Sequence, residues 1–181
     1  MIRFLQPNST RLRVLAFAFL GAAAGAAWAD VEAVLPSRVQ VAWAPPETLS
    51  EVRDNPMKYG NLPSAEWMKL LGDYLRTRAD RILPPGQQLH VTITDIALAG
   101  AFEPWHDPAA DDVRYMKDVY PPRLKLHYRL MASDGSTLQE KDVKLVDLGY
   151  LQHTGLPTDT DPLRYDKRQI SDWLNHEFGQ R

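Results

Sequence analysis

Two stretches of the chain alternate apolar and polar residues, and a strand that alternates must be covered on one face and wet on the other. In residues 89–96 (LHVTITDI), Leu89, Val91 and Ile93 fall on one side and His90, Thr92 and Thr94 on the other. Residues 123–132 repeat the pattern, with Leu124, Leu126, Tyr128 and Leu130 opposite Lys125, His127 and Arg129. Asp134-Gly135 is a tight-hairpin signal, so the second run turns back into residues 138–148, where Val143 and Leu145 share a face. Those last two strands are expected to be antiparallel neighbours. A further alternating run, residues 38–44 with Val39, Val41 and Trp43 on one side, is closed by Pro45-Pro46, since proline has no N–H for a ladder.

Helical spacing supplies the cover. Trp67, Leu70, Leu71, Tyr74, Leu75 and Ile82 recur every three or four residues after Ser64, read as the N-cap, and Leu83-Pro84-Pro85-Gly86 stops the run. The opposite face, with Lys69, Asp73, Arg76 and Asp80, is solvated. A second helix follows Asp161-Pro162, read as an N-cap with proline in the first turn, and would bury Leu163, Ile170, Trp173, Leu174 and Phe178. Residues 47–63 are polar and broken by prolines and read as a structured loop with Tyr59 packed. The order β-α-β-β-β-α predicts an α+β domain: a mostly antiparallel sheet of about four strands with two helices packed on one face.

The head of the chain is an export signal. Arg3, Arg11 and Arg13 precede a charge-free run over residues 14–27, and Ala27-Trp28-Ala29 is a small-x-small cleavage site before Asp30. A spanning helix needs about 20 apolar residues, more than this run supplies. The reading is a signal peptide, 1–29, cut between Ala29 and Asp30, and a single domain, 30–181. No cysteine is present to carry a lipid or a disulfide, so a periplasmic, non-lipidated protein held by its core is expected. Losing the leader's three arginines takes the formal net charge from −2 to −5. An acidic mature chain argues against a nucleic-acid partner, and no stable membrane insertion is expected after cleavage.

The long connection 99–122 is the natural place for chemistry. It carries Glu103, Trp105, His106, Asp107, Asp111, Asp112 and Arg114, but their spacing matches neither a calcium loop nor a zinc pattern, so a solvated loop is favoured over a metal site. Residues 113–120 are a candidate extra strand. There is no G-x-S-x-G, no G-x-G-x-x-G and no Walker loop, and His176-Glu177 lacks the second histidine of H-E-x-x-H. His90, Lys125, His127 and Arg129 form a candidate cationic strip on the wet sheet face, read as the ordinary polar side of a sheet. The Pro-Pro pairs are punctuation.

Across Leu89-x-Val-x-Ile-Thr-Asp95-Ile-x-Leu98-Ala-Gly100, Glu103-Pro104, Arg114 and Tyr120-Pro-Pro-Arg123, the chain resembles domain-of-unknown-function family 3016. The likeness runs on through Leu126-x-Tyr128, Asp147, Tyr150, Tyr165-Asp-Lys and Asp172-Trp173. The family pattern has a second Asp where this chain has Ala97, so paired carboxylates are not available there. The resemblance implies an exported proteobacterial protein of unassigned activity and no cofactor. It singles out Asp95, Glu103, Arg114, Arg123, Asp147 and Tyr150 as candidate binding residues, to be weighed against a satisfied ion-pair network at one end of the sheet. The expected function is a non-enzymatic binding or envelope accessory protein, taking an envelope protein or a small ligand as partner. The alternative is a small hydrolase or metal-dependent enzyme using residues 99–122.

Overall fold

A computed structural model describes residues 37–55, 62–103, 105, 113–152 and 160–179, all within one compact unit, 36–181. The expected leader and its expected Ala29/Asp30 cleavage site, Tyr59, and the acids and histidine of 106–112 lie outside the described residues. In chain order the elements are β1 (Val39–Trp43), a 3-10 turn (Pro46–Thr48), α1 (Ser50–Asp54), α2 (Ser64–Ile82), β2 (Gln88–Ala97), β3 (Ala101–Phe102), β4 (Arg114–Tyr115), β5 (Arg123–Met131), β6 (Thr137–Val146) and α3 (Arg164–Phe178).

Four strands form the main sheet in the order β1-β2-β5-β6. β5 pairs antiparallel with β6, as the hairpin signal required, and also with β2, while β1 runs parallel to β2 with Val39 opposite Leu89. Parallel neighbours need a long crossover, and here α2 lies within it. The fold is thus the expected α+β arrangement, a mostly antiparallel sheet under helices.

The core is the inward face of the alternating strands meeting the helical stripes. Leu89, Val91, Ile93, Leu124, Leu126, Tyr128 and Leu130 are buried against Leu71, Leu75, Ile170, Trp173 and Leu174. Burying each such side chain contributes about 1.5–3 kcal/mol before ordering costs. Tyr128 sits between two aromatic rings of α3, 5.7 Å from Trp173 and 5.4 Å from Phe178, in the tilted and edge-on geometries aromatic pairs favour.

Several local expectations are corrected. Pro63, not Ser64, occupies the cap position of α2, and no side chain caps it. Leu70 is left 39% exposed, and Met68, Gly72 and Ala79 are buried in the stripe. Gly72 faces β1 at ordinary packing distance, where a Cβ would lie 3.5 Å from the Trp43 indole nitrogen. Asp161 does not cap α3; Leu163 holds the cap position, and Asp161 Oδ1 instead accepts from the Leu163 N–H at 2.9 Å in the turn before it. The segment read as a loop from 47 to 63 contains a 3-10 turn and α1. The candidate strand 113–120 shrinks to β4, which pairs with β3 outside the main sheet. Among the described residues no helix is long and apolar enough to cross a membrane.

One irregularity decides where the polar residues go. A bulge between Ile93 and Asp95 adds a residue to β2, so that Asp95 faces Lys125 on the outer side while Ile96 stays inward opposite Leu124. Without it Asp95 would point into the core.

Candidate functional site

The end of β2 leads into a turn at Leu98, Ala99 and Gly100, around which buried charges converge. From α1, Glu51 Oε2 accepts the Leu98 N–H at 2.8 Å. From β4, Arg114 donates to Glu51 Oε1 at 2.7 Å, to the Leu98 carbonyl at 2.8 Å and to the Ala99 carbonyl at 2.7 Å. The two side chains are only 6% and 4% exposed, and the guanidinium lies 5.3 Å from the Phe102 ring centre. From α3, Asp166 Oδ1 accepts the Ala99 N–H at 3.2 Å. One short turn is therefore held by three separate elements, each satisfying backbone groups that would otherwise be buried without partners.

Gly100 makes that turn possible. Its φ is +79°, and a Cβ would fall 2.7 Å from Met116 Sδ and 2.8 Å from the Tyr115 carbonyl oxygen. Gly100→Ala is expected to cost about 2 kcal/mol, read as a lowered urea midpoint with an unchanged slope; an unchanged midpoint would mean the turn is not built as described.

Asp166 is the unusual member. Among the described residues its buried Oδ2 has no hydrogen-bond partner, and burial pushes the carboxyl up to about 7, against the opposing pull of the Ala99 N–H and Arg114, with Glu51 adding to the rise.

A second cluster stands beside the first. Glu103, 3% exposed, accepts from Lys117 at 2.6 Å and from Tyr120 Oη at 2.7 Å. The hydrogen bond to Glu103 raises the pKa of both partners. Tyr150 Oη donates to the Lys117 carbonyl at 2.9 Å, and its ring meets Tyr165 edge-on at 5.0 Å. Burial raises its phenol pKa. Asp147 Oδ1 accepts the Gly149 N–H at 3.1 Å, shaping the turn after β6.

On the outer face, a cleft of about 300 Å³ is bordered by Ser50, Asp54, Asp95, Ala97, Arg123 and Lys125. Asp95 takes the Ser50 N–H at 2.9 Å and Lys125 at 2.8 Å. Burial alone would raise its carboxyl, but Lys125 and Ser50 together hold it down at about 2. Asp54 is taken up by Arg53 at 2.9 Å. Arg123 differs from these: among the described residues its guanidinium makes no hydrogen bond or ion pair. An adjoining space of about 190 Å³ shares Ser50, Asp54, Ala97 and Arg123 and reaches Gly100 and Tyr120.

A family model described as Protein of unknown function (DUF3016) matches residues 37–176. The chain belongs to this family. No curated protein and no solved structure matches it. The DUF3016 match spans every residue of the buried frame, from Glu51 to Asp166, and the whole border of the cleft.

The residues singled out from sequence do gather at one end of the DUF3016 sheet. Asp95, Glu103, Arg114 and Tyr150 are tied into hydrogen bonds with named partners, Asp147 shapes a turn, and Arg123 stands open on the cleft. Glu51, Lys117 and Asp166 complete the clusters and were not anticipated. Asp166 lies inside the Tyr165-Asp-Lys motif, which was a visible signal; Glu51 sits in the segment read as loop, where nothing marked it. The candidate cationic strip is matched by acids at three of its four members, by β6 at His127 and Arg129 and by Asp95 at Lys125. His127 lies 3.0 Å from both Asp142 and Glu140, which raise its pKa, and Arg129 donates to Glu140 at 2.8 Å. Among the described residues no group of three or more His, Asp or Glu side chains is placed to hold a metal.

Proposed function

We propose that this protein is exported to the periplasm by its cleaved leader and works there as a non-enzymatic binding protein. Its partner is an anionic group, a carboxylate or phosphate on a small ligand or on an envelope component, received at Arg123. The observation that carries this reading is the contrast within the cleft: among the described residues the neighbouring charges are already matched, while Arg123 is not. A guanidinium offers paired N–H donors that suit a carboxylate or phosphate in two-point contact. The leader, with its basic head and Ala27-Trp28-Ala29 site, supports export. The absence of every enzyme signature tested in the sequence, together with the satisfied state of Asp95 and Glu103, supports binding over hydrolysis.

Two measurements check it. The protein recovered from an envelope extract is expected to have the mass of a chain starting at Asp30; a chain retaining Met1 in the cytosol would end the export reading. Amide NMR titration with citrate and with inorganic phosphate is expected to move signals of Ser50, Ala97 and Arg123, and Arg123→Gln is expected to abolish those shifts. Shifts that are absent, or unchanged by Arg123→Gln, would end the binding reading.

A further inference from the structure

β6 is an edge strand, and its whole length is exposed or half-buried. Such an edge presents free N–H and C=O groups and is a ready template for another strand. The Asp147 N–H donates to the Pro122 carbonyl, which sets the alternation: odd-numbered residues of this strand direct their backbone groups into β5. Glu140, Asp142, Lys144 and Val146 therefore direct theirs outward. Their side chains share the outer sheet face, since they stand opposite Arg129, His127, Lys125 and Arg123.

Charges on an edge normally guard it against pairing, and they do so when like charges meet in the available registers. Among the antiparallel self-registers that pair at least seven residues of β6, one escapes. Centring a two-fold on Glu140 opposes Glu140 to itself, and centring it on Lys141 opposes Lys141 to itself and Glu140 to Asp142. Centring on Asp142 or Lys144 likewise sets that residue against its own copy. Centring on Val143 opposes Asp142 to Lys144 twice, Glu140 to Val146 twice, and Val143 to Val143, with no like-charge pair. On the same diagonal Glu140 meets Lys144 of the second copy twice, with long side chains in reach, while the shorter Asp142 meets its own copy once. On the inner face Val143 is already packed against the protein's own core, so its self-contact extends an existing apolar layer.

We propose that β6 pairs with β6 of a second copy of this chain, antiparallel and centred on Val143, joining two four-stranded sheets into one. The isologous contact closes on itself, with β1 as the outer strand at each end of the joined sheet. It goes beyond the binding reading and does not depend on Arg123.

Charge exchange on the mature chain tests it, because Asp142 and Lys144 are exposed and their replacement leaves the core untouched. The wild type is expected to self-associate in sedimentation equilibrium. Asp142→Lys alone sets lysine against lysine, and Lys144→Asp alone sets aspartate against aspartate. Each variant is expected to self-associate roughly tenfold more weakly than wild type. An equimolar mixture of the two restores both opposite-charge pairs and is expected to form the mixed dimer by native mass spectrometry. Val143→Cys, in a chain with no other cysteine, is expected to give a disulfide-linked dimer on oxidation. A wild type that stays monomeric, single variants that associate as wild type does, or a mixture that shows no preference would each overturn the pairing.

Discussion

Arg114→Met is expected to destabilise the protein by about 3–5 kcal/mol, because removing one partner of a buried ion pair leaves the other charge buried and unmatched. The side chain does more than neutralise Glu51: it also satisfies the carbonyls of Leu98 and Ala99. Loss of the guanidinium strands all three acceptors in a place water does not reach. Methionine fills similar volume, so the loss reads polar satisfaction and not a cavity. Urea unfolding at neutral pH measures it. Glu51→Gln alone should also destabilise, and the double variant should lose less than the two singles combined, since they share one interaction. Additive losses, or an Arg114→Met midpoint within about 0.5 kcal/mol of wild type, would show that the pair does not hold the turn.

The second large effect is on pH dependence, through Asp166. Its carboxyl titrates near 7 in the folded protein against an ordinary value of 3.8. Between those values the folded state binds the proton and the unfolded state does not. Stability therefore falls as pH rises through this window and levels off above it. The full difference is on the order of 2–4 kcal/mol for a group this buried. Asp95 acts in the opposite sense and elsewhere: held down at about 2, it lends stability that is present above about pH 4 and is lost as pH falls toward 2. Asp166→Asn keeps an oxygen for the Ala99 N–H and cannot ionise. It is expected to be more stable than wild type at pH 8 and to flatten the decline between pH 5 and 8. A variant that declines as steeply as wild type would assign the effect to another group.

How much of this could be read from sequence depended on how local the signal was. The alternation in β2 and β5, the Asp134-Gly135 turn and the buried half of α3 follow from periodicity and turn chemistry, which depend on near neighbours, and the structure reproduces them. Ser64 and Asp161 do not cap their helices, because a good capping residue forms a cap only when the backbone enters at the right place. Pro63 and Leu163 hold those places. The bulge at Asp95 leaves no mark in composition, yet it decides which face the residue occupies. The site was half legible. Its polar members were found through motif resemblance, but Glu51 meets Arg114 across 63 residues of chain, a contact that no local pattern encodes.

The gathered residues divide by role. Glu51, Arg114 and Tyr150 hold backbone groups, Glu103 holds the side chains of Lys117 and Tyr120, and Arg123 alone among the singled-out charges is left open to the cleft. Urea unfolding of Arg123→Gln beside wild type, read together with the phosphate and citrate titration, tests that division most directly. The expected result is an unfolding free energy within about 0.5 kcal/mol of wild type with the anion-induced shifts gone. A loss of stability approaching that of Arg114→Met, or undiminished anion binding, would contradict it.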